Sequence, residues 1–146
     1  MKKNTINVSL VAGLIGMFDS IYLAVVKLSH IPIYCTPGLG DCATVNSSPW
    51  SLLWGIPVSI FGIATYLGII CLVLFGNKIP FIRPYTSYLL FGIGFFGFLF
   101  SLYLTYIELF VLHAICQWCM LSAGCMTVIF IISILELFGT QEKHNK

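Results

Sequence analysis

The sequence predicts an all-α integral membrane protein, a four-helix bundle with a long external loop between helices one and two. Three observations carry that expectation. The 146 residues are 59% hydrophobic and only 8% charged, far too little charge to coat a water-soluble domain of this size. Stretches near residues 6–28, 57–76, 85–109 and 116–138 each reach the roughly 20 apolar residues that a helix needs to cross a bilayer. Lysine and arginine gather in alternate connections between those stretches, the pattern that sets orientation in a membrane.

In lipid every backbone polar group needs a partner within its own segment, so the four stretches should be helices. The first follows Lys2 and Lys3, as a signal peptide would. Its run is too long for a signal core, contains Asp19 and offers no convincing small-residue cleavage site, so it is read as a retained helix. A polar, turn-rich loop over residues 30–55 follows, within "SHIPIYCTPGLGDCATVNSSPWSLLWG". The connection between helices two and three, "NKIPFIR", is short and basic, and that before helix four, around "FVLHAI", is barely a turn. A hydrophilic tail, "TQEKHNK", ends the sequence.

With an even number of spans, Lys2, Lys3, Lys78, Arg83, Lys143 and Lys146 share one side, and only Lys27 falls near the other. The positive-inside bias makes the shared side cytoplasmic. Residues 1–146 then form a single membrane domain, multi-pass in the cell membrane, with both termini cytoplasmic. The long loop and the head of helix four face outside. A net charge of +2, with no basic face interleaved with aromatics, argues against nucleic acid as a partner; membrane lipid is the expected surroundings.

Six cysteines fall into three groups. Cys35 and Cys42 lie in the outer loop, with Pro37, Gly38 and Gly40 between them to turn the chain back. Cys116 and Cys119 form a C-x-x-C that opens helix four at the same boundary. Cys71 and Cys125 sit in apolar helix and are read as packing residues. Thiols outside the cytoplasm meet an oxidising environment, where disulfides persist. The i, i+3 spacing puts Cys116 and Cys119 on one helix face. A helix N-terminus favours the thiolate that attacks a disulfide sulfur. A four-sulfur zinc site needs all four outer cysteines together, and haem attachment needs a histidine where Met120 stands; redox exchange is preferred to both. Two dithiols on one side suggest a relay. The loop pair is exposed enough to meet an external protein, and the helix pair is close enough to lipid to meet a quinone. The plainer alternative for the loop is a structural disulfide.

Ionisable groups within apolar helix deserve a functional hypothesis. Asp19 lies near the middle of helix one, where it can be protonated and hydrogen-bonded. Glu108, near the outer end of helix three, is read as an interfacial residue, as are His30 and His113. Trp50, Trp54 and Trp118 fit an outer aromatic belt, and Trp118, between the redox cysteines, can also shape a quinone site. Gly92, Gly94 and Gly97 suit close helix packing.

These residues together resemble the vitamin K epoxide reductase family, in its microbial disulfide-forming branch without a fused thioredoxin-like domain. The resemblance rests on "DSIYLAVVKL", the C-x6-C loop, "VNSS", "GIPVSIFG" and "YLTYIELFVLHAICQWC", in that order along nearly the whole chain. Other bacterial quinone-linked disulfide oxidases share a four-helix plan but carry their C-x-x-C in the first outer loop. The resemblance implies that Cys35 exchanges with a thioredoxin-like partner, here a separate thiol-disulfide oxidoreductase. It implies that Cys42 carries electrons inward by attacking Cys116, and that Cys119 faces a quinone of the ubiquinone or menaquinone type. The family's functional serine, six residues past the second loop cysteine, is Ser48, with Ser47 beside it. The same serines can instead cap a short helix near "SSPWSLL", with Pro49 in its first turn. Where animal members carry a quinone-contacting asparagine and a tyrosine, this sequence has Val58 and Ala123, which argues against vitamin K epoxide as substrate and leaves quinone reduction in place.

The expected function is therefore a membrane thiol oxidoreductase that oxidises an external thioredoxin-like partner and reduces a membrane quinone. The contrasting expectation is a non-enzymatic bundle, for transport or scaffolding, whose outer cysteines are staples. Its polar lining has to come mainly from Asp19, Glu108 and hydroxyl residues.

Overall fold

The computed structural model describes residues 3–38, 40–76 and 78–144, with side chains between residues 4 and 139. Its long helices are α1 (Lys3–Leu28), α3 (Val58–Phe75), α4 (Thr86–Tyr106) and α5 (Gln117–His144). All four are long and apolar enough to cross a membrane, as expected of a multi-pass membrane protein. Observed and expected ends agree to within a few residues except at α5, which continues through the first residues of the hydrophilic tail. Gln141, Glu142 and Lys143 are good helix formers and need no lipid to stay helical.

α1 packs along both α3 and α5, and α4 packs along α5. The shared core holds Tyr66, Ile69 and Leu90 with Met126 and Ile129. The outer faces remain apolar, with Phe18, Phe96 and Leu135 exposed, which suits a hydrocarbon solvent rather than water. Antiparallel packing leaves the loop between α1 and α3 at the same end as the turn before α5, since the Asp41 amide donates to the Ile115 carbonyl at 3.0 Å. The basic connection with Lys78 and Arg83 lies at the opposite end, near the start of α1, where the Thr5 hydroxyl donates to Glu136.

Gly16 makes room for the Tyr66 ring of α3 against α1. A methyl group there would enter the Tyr66 ring, and that ring is pinned because its hydroxyl donates to the Ser122 carbonyl at 2.8 Å. Gly16→Ala should therefore destabilise the bundle by about 1–3 kcal/mol, the usual penalty for overpacking. Gly68, in α3, has no atom within 4 Å of its virtual methyl, so Gly68→Ala should be neutral or slightly stabilising. Thermal unfolding of both variants in detergent checks the contrast.

The loop between α1 and α3 is more ordered than its composition suggests. α2 (Cys42–Ser47) begins at Asp41, whose carboxylate accepts the Thr44 amide at 3.0 Å. Hydrogen bonds from Thr44, its hydroxyl first and then its amide, hold the Asp41 carboxyl below its ordinary value. A single 3₁₀ turn, Pro49–Ser51, follows. A two-residue hairpin then leads into α3, with β1 (Leu52–Leu53) antiparallel to β2 (Ile56–Pro57). Lys27, at the end of α1, anchors this loop by donating to the Asn46 carbonyl and to the Ser51 hydroxyl at 2.7 Å.

Candidate functional site

The two cysteine pairs meet where the loop between α1 and α3 folds over the head of α5. Cys35 and Cys42 form a disulfide with α-carbons 5.9 Å apart, while Cys116 and Cys119 are free thiols. Cys42 and Cys116 are both wholly buried and belong to one cluster, with Cys35 and Cys119 packed against it. Cys35 is the more accessible member of the loop pair. Three contacts seat the loop: Asp41 on Ile115, the Thr36 amide on Gln117 Oε1 at 3.3 Å, and Trp118 Nε1 on the Tyr34 carbonyl at 2.8 Å.

Cys116 stands one residue ahead of α5, so the unpaired amides of that helix start point at its sulfur. The Cys116 thiol is held below its ordinary value, chiefly by a hydrogen bond from the Cys119 thiol. Burial opposes that shift, the amides of Cys119 and Trp118 assist it, and the Glu108 charge opposes it. A thiol so placed is suited to nucleophilic exchange.

A cavity opens beside the dithiol, between the long helices and beneath the loop. Cys116 and Cys119 are on its wall, with Ser48, Glu108, Val58 and Ala123; the loop cysteines are not among its lining residues. Ser48 is buried and donates its hydroxyl to the Val45 carbonyl at 2.7 Å. Ser47 is exposed and bonds Thr44 instead, so of the two serines it is Ser48 that reaches the cavity. Ser48 also precedes the 3₁₀ turn, with Pro49 at its start as the capping reading requires, but its side chain makes no capping bond. Trp118 is not among the cavity-lining residues; its ring lies 4.8 Å from that of Tyr22.

Glu108 differs from its expected interfacial place. It is only 4% exposed, in a π-helical turn, Ile107–Val111, that continues α4. One carboxylate oxygen, Oε2, accepts the Cys116 amide at 3.0 Å, and Cys119 lies on the same cavity wall. The signal in sequence was an acidic residue within an apolar run, eight residues before Cys116. Asp19 is buried as well, and neither of its carboxylate oxygens has a hydrogen-bond partner among the described residues. Cys125 is buried and Cys71 exposed, both apart from the cluster that holds the other four.

A dithiol with Cys116 buried and Cys119 half-buried, a disulfide packed against it and an apolar cavity beside it form a unit able to move electrons by exchange. Vitamin K epoxide reductase family is the description that matches this chain, over residues 7–134. That stretch includes both cysteine pairs, Ser48 and Glu108, and the chain belongs to the vitamin K epoxide reductase family.

Proposed function

We propose that this protein is a quinone-dependent thiol oxidase that restores the disulfide of a separate thioredoxin-like partner. Family membership supports a quinone-linked membrane thiol oxidoreductase in general. The finer reading rests above all on the burial of Cys42 against Cys116 in one cluster, which joins the loop pair to the pair on the cavity wall.

In the proposed cycle, a partner thiolate attacks Cys35 and releases Cys42. Cys42 attacks Cys116 of an oxidised helix pair and releases Cys119. The partner's second thiol forms the partner disulfide and frees Cys35, which then attacks Cys42. The loop bond is restored, and Cys116 and Cys119 are left reduced beside the cavity. Each step exchanges one S–S bond for another. A quinone in the cavity accepts the two electrons and two protons as Cys116–Cys119 forms again. In that cycle the form with a Cys35–Cys42 disulfide and Cys116 and Cys119 as thiols is the one that donates to the quinone. Ser48, whose hydroxyl donates to the Val45 carbonyl on the cavity wall, is proposed to turn it to a quinone oxygen. Trp118 is proposed to seat the loop, through the bond from its Nε1 to the Tyr34 carbonyl, rather than to contact the quinone. Val58 and Ala123 on the cavity wall fit an apolar ring without the polar contacts expected for vitamin K epoxide.

The relay is proposed to face the outside, with both termini cytoplasmic, because the positive residues gather at the other end. A membrane-impermeant maleimide applied to intact cells after reduction should label Cys35 or Cys42 and spare cysteines engineered into the tail. Labelling of the tail would reverse the orientation. In membranes depleted of quinone and supplied with reduced partner, both cysteine pairs should accumulate as thiols; adding quinone should reoxidise them. Pairs that stay oxidised throughout would mark the cysteines as staples of a non-enzymatic bundle.

A further inference from the structure

Burying a carboxylate in an apolar bundle is costly unless its hydrogen bonds are met or it does chemistry. The Glu108 carboxylate accepts the amide of Cys116, the first cysteine of the dithiol, at 3.0 Å, and it shares a cavity wall with both Cys116 and Cys119. A glutamine could serve the amide equally well. What the amide side chain cannot do is take the proton of the thiol. The π-helical turn at residues 107–111 carries Glu108, and its backbone carbonyl accepts the Ala114 amide at 3.0 Å. The chain before α5 is thereby folded back so that carboxylate and thiols share one cavity wall. The other ionisable groups on that wall are Lys27 and Tyr66, and among the described residues no cation is paired with Glu108.

We propose that Glu108 is the proton-transfer residue of the helix dithiol, taking the proton of the Cys119 thiol and delivering it to the quinone oxygen being reduced. This rests on the quinone-linked reading above. Two thiols and one quinone give one disulfide and one quinol. The Cys116–Cys119 bond forms, and two electrons pass to the quinone. One proton travels from Cys119 through Glu108 to the quinone, and the Cys116 thiol supplies the other. Glu108 ends as the carboxylate it was at the start. In the inward step the same group works in reverse, carrying a proton to the Cys119 sulfur that Cys42 displaces.

Wild type, Glu108→Gln and Glu108→Asp are compared in liposomes, with a short-chain ubiquinone analogue as acceptor and with thermal unfolding as a control for folding. Quinol formation from the prereduced protein should fall about 100-fold or more in Glu108→Gln, the scale of general acid–base catalysis, with part of the rate kept in Glu108→Asp. A second readout needs no quinone: alkylation of Cys119 in the reduced protein by N-ethylmaleimide, followed by mass spectrometry. When the thiol proton passes to a neighbouring carboxylate, none is exchanged with solvent, so the wild-type rate should be nearly flat around neutral pH. In Glu108→Gln the proton must leave to water, and the rate should rise about tenfold per pH unit, in step with the thiolate fraction. Wild-type quinol rates in Glu108→Gln would overturn the proposal while leaving the relay intact. A wild-type alkylation profile that is itself steep would overturn it even if the glutamine variant failed to fold. Failure of the wild type to make quinol would remove the relay and this role with it.

Discussion

Replacing Cys119 with serine should stop quinone reduction and leave a covalent link between the loop after α1 and the head of α5. Exchange proceeds through one mixed disulfide at a time, and each is resolved by the next sulfur in line. Without Cys119 there is no sulfur to close on Cys116. Cys116 can still attack Cys42 of the loop disulfide, forming Cys42–Cys116 and freeing Cys35. Acid quenching and alkylation of the freed Cys35 should capture that product, and mass spectrometry of non-reduced peptides should find it. The geometry is favourable because Cys42 and Cys116 are fully buried together, while Cys35 is the accessible loop sulfur. Quinol formation should drop to background in Cys116→Ser and in Cys119→Ser. Cys71→Ser and Cys125→Ser lie outside the cluster and should keep turnover, with some loss of stability from a buried hydroxyl at Cys125. A dominant Cys35–Cys116 peptide would reverse the order of the relay. Finding no loop-to-helix peptide in folded Cys119→Ser protein would reduce Cys35–Cys42 to a staple.

The features that can be read in the sequence are those carried by long-range composition. Four apolar runs mark four helices because lipid leaves the backbone no other choice, and observed ends such as Val58–Phe75 lie close to the expected span. The cysteine grouping is equally plain, since both pairs flank spans and share an end. Local order within the polar loop is less plain. α2 depends on Asp41 capping the Thr44 amide and on the disulfide beside it, and six residues of helix have no periodic pattern to announce them. Depth along a regular helix puts Glu108 at the interface. The π-helical turn changes which way the chain faces there, and only the fold shows that an acid eight residues ahead of Cys116 turns back to meet its amide. Trp118 lies between Cys116 and Cys119 in sequence, but successive residues on a helix point about 100° apart. Its ring therefore packs on Tyr22 while Cys119 reaches the cavity.

Gly40→Ala should uncouple the loop from the helix dithiol without touching any sulfur. Gly40 adopts a φ of +140°, a region that L residues rarely enter and that costs on the order of 1–3 kcal/mol. A methyl group there would also run into the carbonyl oxygen of Ile115. That oxygen is the acceptor for the Asp41 amide at 3.0 Å, the bond that seats the start of α2 beside α5. Cys42 is the first residue of α2, so whatever pushes Asp41 off Ile115 draws Cys42 away from Cys116. A penalty of about 1–3 kcal/mol weakens the docked arrangement by roughly 5–150-fold. In a Cys119→Ser background, the yield of Cys42–Cys116 peptide should fall accordingly, while the Cys35–Cys42 disulfide still forms within the detached loop. Gly38→Ala separates strain from collision: Gly38 has a φ of +85° but no atom within 4 Å of its virtual methyl. It should lose less of the crosslink than Gly40→Ala. If Gly40→Ala formed the crosslink as readily as its parent, the Asp41–Ile115 contact would not be what brings the two cysteine pairs together.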